Sequence, residues 1–434
     1  MIEKPLNKQR WRFYDLGLFM HVAMRVAQDV GKVEYFTPWV SAFSKPHQTR
    51  LGEGLPGVTR IQYFFENLDD VDVFVFPDVG FGDLQDDLRT RGKAVVGCGF
   101  LAERLEVDRF HLREVLRQRG LFCPKFKPIK GMSALYDYLE KNPDTWVKLN
   151  NNSRGIKETF HVKTLDMSFS TLTKMSADLD CFREQQMFLV EPPIFPGKDG
   201  VEMGDDWYFG GGQFLEVGCY GQEVKGDGYG GRFLHYEKLP APVRVVTDAM
   251  RPVFTKSGCA STRSSEIRFG KVNGKVVGSF GDACQRYGCP PSGVLVWGYK
   301  NITRILEGLA KGKWVKPEPV SEYCAEIILS SSSANDEAVA MEIKDKNLNR
   351  VLPRQFYRND VDKLFYRIPQ KDGSLVAEAI GFGASLEEAQ QQARESVELV
   401  DFVGKDWSKD VFERMDENLE KADKMGVGLK SGGK

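Results

Sequence analysis

The sequence predicts an α/β chain with an open parallel sheet at its N-terminus, a β-rich centre and a small α+β piece at its C-terminus. Three observations predict it. Apolar runs alternate with helical periodicity between residues 11 and 120, as open α/β sheets require. A Gly-rich, strand-rich stretch follows between about 200 and 300. A proline-broken connector, Lys311 to Pro319, then leads into a last mixed segment.

Taken in order, Trp11–Asp15 and Val33–Thr37 read as strands flanking a helix from Leu18 to Ala27, whose Phe19, Val22, Ala23 and Val26 share a face. Val71–Phe76 is an almost continuous apolar run, as in buried parallel strands. A helix from Asp83 to Arg91, a strand from Gly92 to Gly97 and one charged helix from Ala102 to Gly120 follow. Trp146–Lys148 and Met187–Val190 are the clearest strands of the next stretch. Ser264–Phe269 and Lys275–Phe280 form a hairpin across Asn273-Gly274. Trp297–Leu309 reads as a helix. Beyond the connector come strands Glu326–Leu329, Lys363–Arg367 and Leu375–Ile380, then a helix opening on the capping box Ser385-Leu-Glu-Glu388. The tail from Lys421 is expected to fray. The domain boundaries expected are 1–120, 121–195, 196–318 and 319–434.

At 434 residues the chain is too long for one ordinary core. With Lys+Arg 60 against Asp+Glu 61 there is no basic field to favour nucleic acid. No apolar run approaches the ~20 residues that span a bilayer, and no secretory leader is evident. The eight cysteines and five histidines are scattered, without zinc-type spacing. A cytoplasmic protein with reduced thiols is expected.

The chemistry concentrates in Asp282-x-Cys284-x-Arg286-x-Gly288-x-Pro290. On a strand, residues two apart share a face, so Asp282, Cys284 and Arg286 would point together. Glu266 and Arg268 would do so on the neighbouring strand. Paired carboxylates beside arginines can hold Mg²⁺ against a polyphosphate; a surface hairpin with ordinary ion pairs gives the same spacing. Lys148 sits in an apolar strand, where an ammonium needs a partner, a function or a solvent-facing edge. The loop Asn150–Thr159, with Ser153, Arg154 and Gly155, could cradle phosphates through its N–H groups, or be a plain turn. Glu191-Pro-Pro-Ile194, with Glu202 beyond it, could read an adenine edge and ribose hydroxyls; acidic loop residues are also often just solvated.

In this order the elements resemble the ATP-grasp superfamily, and within it the phosphoribosylamine–glycine ligases. Asp15-Leu-Gly17 to Ala23 is similar to the family's opening Gly loop and His-Ala helix. Val107–Leu112 matches the linker helix, with Arg109 where the family has a lysine that reaches ATP. Lys148 matches the second ATP lysine, and Ser153 to Thr159 the phosphate loop. Glu191 to Ile194 is similar to the adenine hinge, with Glu202 as the ribose ligand. The metal strand of the family, Glu-x-Asn-x-Arg-Phe-Gly-Asp-Pro, reads here Asp282-x-Cys284-x-Arg286-Tyr-Gly288-Cys-Pro290. Gly383–Ala389 resembles its C-terminal helix start. Cys284 departs from the pattern, since a thiol is a poor partner for Mg²⁺. Gly226–Arg232 lies near the family's glycine-rich substrate signature but differs from it.

The resemblance implies an ATP-grasp fold with a pre-ATP-grasp domain, ATP as co-substrate, and Mg²⁺ or Mn²⁺ held by Glu266 and Asp282. It implies ATP contacts from Arg109, Lys148, Ser153, Arg154, Gly155, Glu191, Ile194 and Glu202, and catalytic roles for Arg286 and Arg268. The implied reaction joins a small carboxylate, such as an amino acid, to an amine through an acyl phosphate. The partners implied are small molecules, in a monomer or homodimer. The alternatives are a ligase acting on a larger amine acceptor, such as a modified nucleotide or nucleic acid, and a catalytically degenerate ATP-binding scaffold.

Overall fold

The computed structural model describes residues 4–38, 48–150, 158–195, 200–370 and 374–431. Strands Arg10–Tyr14, Lys32–Phe36, Val58–Arg60, Val73–Val75 and Val95–Val96 form a five-stranded parallel sheet, with Arg10–Tyr14 at its centre. Both its faces are covered: Trp11, Phe13, Val73 and Val75 are buried on one, and Arg12 and Phe74 on the other.

Strands Lys127–Lys130, Thr145–Leu149, Thr159–Val162 and Met187–Glu191 form a four-stranded antiparallel sheet. Period-2 alternation divides its faces. Val147, Leu149, Phe160, Phe188 and Val190 pack with Leu135, Leu139, Leu172 and Met175 of the helices Met132–Lys141 and Phe169–Leu179. Trp146, Lys148, His161 and Glu191 are left to face a cleft.

The largest unit is a nine-stranded sheet. From one edge it runs Lys275–Cys284, Ser261–Val272, Val201–Gly210, Val217–Val224, Gly228–His235, Tyr323–Ser330, Leu375–Gly383 and Val351–Pro353, with the short strand Gln213–Phe214 beside Val201–Gly210. The hairpin turn falls on Asn273 and Gly274, at φ 50° and 78°, as a tight two-residue turn requires. Gly228–His235 pairs with Tyr323–Ser330, so hydrogen bonding runs straight across the boundary expected at 318/319. A second four-stranded sheet, with Val339–Ile343, Phe356–Arg358, Phe365–Arg367 and Val400–Phe402, completes the C-terminal part. Among the described residues, no helix is long and apolar enough to cross a membrane.

Three local expectations are corrected. The helix expected over Ala102–Gly120 is two, Gly99–Val107 and Arg109–Gln118. Asp108 leaves helical geometry and accepts a hydrogen bond from the His111 N–H at 3.2 Å, capping the second helix. The helix expected over Trp297–Leu309 is also two, Ser292–Trp297 and Ile302–Lys311. The tail does not fray at Lys421. Helix Val411–Lys424 continues into buried Val427 and Leu429. The buried Tyr220 hydroxyl donates to the Val427 carbonyl at 2.5 Å, and Arg232 donates to the Leu429 carbonyl at 3.0 Å. Tyr220→Phe should therefore cost about 1 kcal/mol and speed amide exchange across residues 425–431. Exchange there as slow as in the parent would show that this bond does not hold the tail.

Candidate active site

A cleft of about 610 Å³ lies between the open face of the four-stranded sheet and the hairpin edge of the large one, within the range of small-molecule sites. Strand Thr145–Leu149 delivers Lys148 to it. Helix Arg109–Gln118 delivers Arg109 and Arg113, four residues apart and so on one face. The hairpin delivers Glu266 opposite Asp282. The register slips just after this pair, because Ile267 faces Phe280 and Gly281 is left unpaired. That bulge keeps both carboxylates on the cleft side.

Asp282 Oδ1 receives Arg109 Nη1 at 2.7 Å and lies 3.3 Å from Lys148 Nζ. Burial would raise its pKa. Lys148, then Arg109 and Arg113, outweigh that and hold the carboxyl well below the usual range. Arg109 also donates from Nε to the Leu149 carbonyl at 2.9 Å, which ties the linker helix to the strand that carries Lys148.

Beneath them sits a second ion pair. Arg113 reaches both oxygens of Glu191 at 2.8 Å, and each side chain is only 2% exposed. Lys148 is 3.2 Å from the same carboxylate, and Arg113 Nη1 donates to the Gly281 carbonyl at 3.2 Å. One guanidinium thus joins the end of strand Met187–Glu191 to the bulge beside Asp282.

On the other side, Lys225 Nζ bonds Glu266 Oε1 and lies 3.4 Å from both Glu202 and Glu223. Burial pushes Glu223 up to about 7 despite Lys225, with Glu266 and Glu202 adding to the rise. Burial also raises Glu266. Arg268 donates from Nε to the Ile194 carbonyl at 2.5 Å and from Nη2 to the Phe195 carbonyl at 3.1 Å. Trp146 and His161 stack on the cleft wall with ring centroids 5.0 Å apart, and His161 is 2.8 Å from Asp144.

No family model matches the sequence, and no curated protein matches it as a relative. Solved structures do match. Phosphoribosylamine–glycine ligase from Thermotoga maritima superimposes with a TM-score of 0.68 at 17% identity, covering 92% of this chain and 99% of its own. The L-amino acid ligase of Bacillus licheniformis gives 0.57 at 17% identity, covering 94% and 100%. The biotin carboxylase domain of Hydrogenobacter thermophilus 2-oxoglutarate carboxylase, solved with MgADP and bicarbonate, gives 0.59 at 11% identity, covering 96% and 99%. The chain has the ATP-grasp fold.

Within the ATP-grasp fold the expected site residues distribute unevenly. Lys148, Glu191, Ile194, Glu202, Glu266, Arg268 and Asp282 line the cleft, and Arg109 reaches it through Asp282. Ser153, Arg154 and Gly155 lie outside the described residues. Arg286 is placed elsewhere. The strand ends at Cys284, so its alternation no longer governs Arg286. The guanidinium instead bonds Glu106 at 2.8 Å and lies 3.5 Å from Asp78. The Glu191 carboxylate is engaged by Arg113 and Lys148, and the Ile194 carbonyl accepts from Arg268. Gly226–Arg232 runs into the paired strand Gly228–His235, where a side chain at Gly230 or Gly231 would strike Met415, or Cys219 and Tyr229.

Sequence reasoning missed Arg113, Glu223 and Lys225. Arg113 carried a signal, a charge beside the apolar face of its helix at Leu112, Val115 and Leu116. Lys225 carried only its neighbour Glu223, since its other carboxylate partners, Glu202 and Glu266, lie on strands distant in sequence.

Proposed function

We propose that the chain is an ATP-dependent carboxylate–amine ligase whose carboxylate is a small molecule such as an amino acid. The observation that carries this reading is Asp282, kept ionised between Lys148 and Arg109 at the floor of a nucleotide-sized cleft. The cleft also suits the nucleotide: cations stand at one end, and Pro193 and Ile194 give an apolar wall at the other. Glu266 and Asp282 would hold Mg²⁺, a hard ion that takes carboxylate oxygens. When bound, the ion neutralises charge on the β- and γ-phosphates.

In the first half-reaction a carboxylate oxygen of the substrate takes the γ-phosphoryl group, giving an acyl phosphate and ADP. In the second, the amine nitrogen forms the C–N bond as the bond from the acyl carbon to phosphate breaks, and a nitrogen proton is released. Lys148 and Arg109 lie where charge develops on the transferred group. Each such contact is worth about 10²–10³ in rate, or about 3–4 kcal/mol. Glu191 and Arg113 fix Lys148 from behind. Glu202 is the candidate for the ribose hydroxyls.

The test is an ADP-release assay over pools of carboxylates, with and without amines. Release stimulated by one carboxylate–amine pair, in step with amide formed, is expected. ATP binding without stimulated turnover by any pair would sink the ligase reading.

A further inference from the structure

Beside the cleft lies a second, smaller cavity. It holds about 20 Å³, enough for a single water-sized or ammonium-sized group. Glu202 and Glu266 line both spaces, and Glu223 and Asp206 line the smaller one. Asp206 is 1% exposed. Its Oδ2 accepts from the Tyr229 hydroxyl at 2.8 Å, while its buried Oδ1 has no hydrogen-bond partner among the described residues. A buried carboxylate oxygen left unpaired is costly and marks a place where a donor belongs.

The cavity mouth already holds a cation of known chemistry. Lys225 lines the cleft, yet all its carboxylate partners, Glu202, Glu223 and Glu266, border the cavity. An ammonium suits such a ring because its three N–H groups can each meet a different acceptor. Lys225 follows directly on strand Val217–Val224 and its side chain is half exposed, so it can swing out without breaking the sheet. No group of three Asp, Glu, His or Cys among the described residues has metal-holding geometry.

We propose that this carboxylate-ringed cavity is the subsite for the amine substrate, taken as a primary ammonium that displaces Lys225, donates to Asp206 Oδ1 and gives up one proton to a carboxylate of the ring before its nitrogen attacks, the second proton leaving as the amide forms. The assignment rests on the ligase reading and narrows it: the amine partner carries an unhindered, positively charged primary amino group. An anionic or quaternary amine does not fit, because it either repels the ring or offers it no N–H.

The subsite is tested on the full chain by following thermal unfolding of Lys225→Ala with methylammonium, tetramethylammonium, sodium or magnesium chloride. Methylammonium should raise the melting temperature at least about twofold more than sodium or tetramethylammonium does. Adding Asp206→Asn, or Glu223→Gln where the first variant folds poorly, should erase that excess. Equal shifts from all the salts would make the ring a structural ion cluster, and a shift from magnesium, which the Glu266–Asp282 pair is itself expected to bind, with none from methylammonium would leave the ring without an ammonium site; either overturns the proposal. In the turnover assay, Asp206→Asn should raise the KM for the amine by about tenfold or more, the worth of one hydrogen bond to a charged group, with the KM for ATP unchanged. Failure of the two readings is separable. Methylammonium binding with no turnover for any substrate pair removes the ligase and leaves an ammonium site. Turnover with an amine KM indifferent to Asp206 removes the subsite and leaves the ligase.

Discussion

Asp282→Asn should lower ATP-dependent phosphate release by about 10²–10³ while the protein stays folded and still binds ATP. The substitution keeps the shape of the side chain and removes its charge. What is lost first is one of the two hard oxygen ligands proposed for the metal. What is lost second is the counter-charge between Lys148 and Arg109, which lie 3.3 Å and 2.7 Å from the carboxylate. Two cations left facing one another attract polyphosphate more strongly, so ATP affinity should hold or rise. The expected signature is therefore a fall in kcat with KM for ATP no higher than in the parent. Single-turnover phosphate release alongside equilibrium ATP binding measures both. Near-parental kcat would remove Asp282 from the mechanism. A higher KM at unchanged kcat would make it a ground-state contact only.

Arg113→Met should be among the most destabilising single changes near the site, by about 3–5 kcal/mol, since breaking a buried ion pair strands the remaining charge. Methionine fills similar volume, so cavity formation adds little. The stranded group is Glu191, 2% exposed, with Lys148 as its remaining partner. Lys148 should be drawn toward it and away from Asp282, so activity should fall together with stability. Adding Glu191→Leu should recover part of the stability, because apolar replacement of both partners is often near neutral, and none of the activity. Urea unfolding followed by circular dichroism gives the first quantity and phosphate release the second. A loss below about 1 kcal/mol in the single variant would place the pair in the class of weak surface bridges.

The parts of this architecture that sequence conveys are those written in short-range period. The parallel strands at 10–14 and 73–75, the Asn273-Gly274 hairpin and the Ser385 cap each carry a local pattern, and each forms where that pattern falls. Lys148 and Asp282 stood out because a charge inside an apolar or alternating run needs a reason. What stayed hidden depends on pairing at a distance. Arg113 meets Glu191 only after the four-stranded sheet docks on the linker helix. Lys225 meets Glu202 and Glu266 only once three separate strands are in register. Arg286 shows the opposite failure: alternation carried past Cys284 puts it beside Asp282, whereas the strand stops at Cys284 and helix Gly99–Val107 supplies Glu106 as its partner. The tail reads as frayed from its Lys and Gly content, yet Tyr220 and Arg232 supply donors for its carbonyls from within the sheet.

The pairing of Gly228–His235 with Tyr323–Ser330 also bears on how the protein is made. While the ribosome is still adding the connector and helices that follow, the central sheet has an open edge at a glycine-rich strand. Such an edge offers unpaired N–H and C=O groups to any other extended chain. It is closed only when Tyr323–Ser330 emerges, and that strand is itself covered only by Leu375–Gly383. A fragment ending at residue 318 would therefore carry the whole cleft and still lack the strand that keeps it from pairing with its neighbours in the cell.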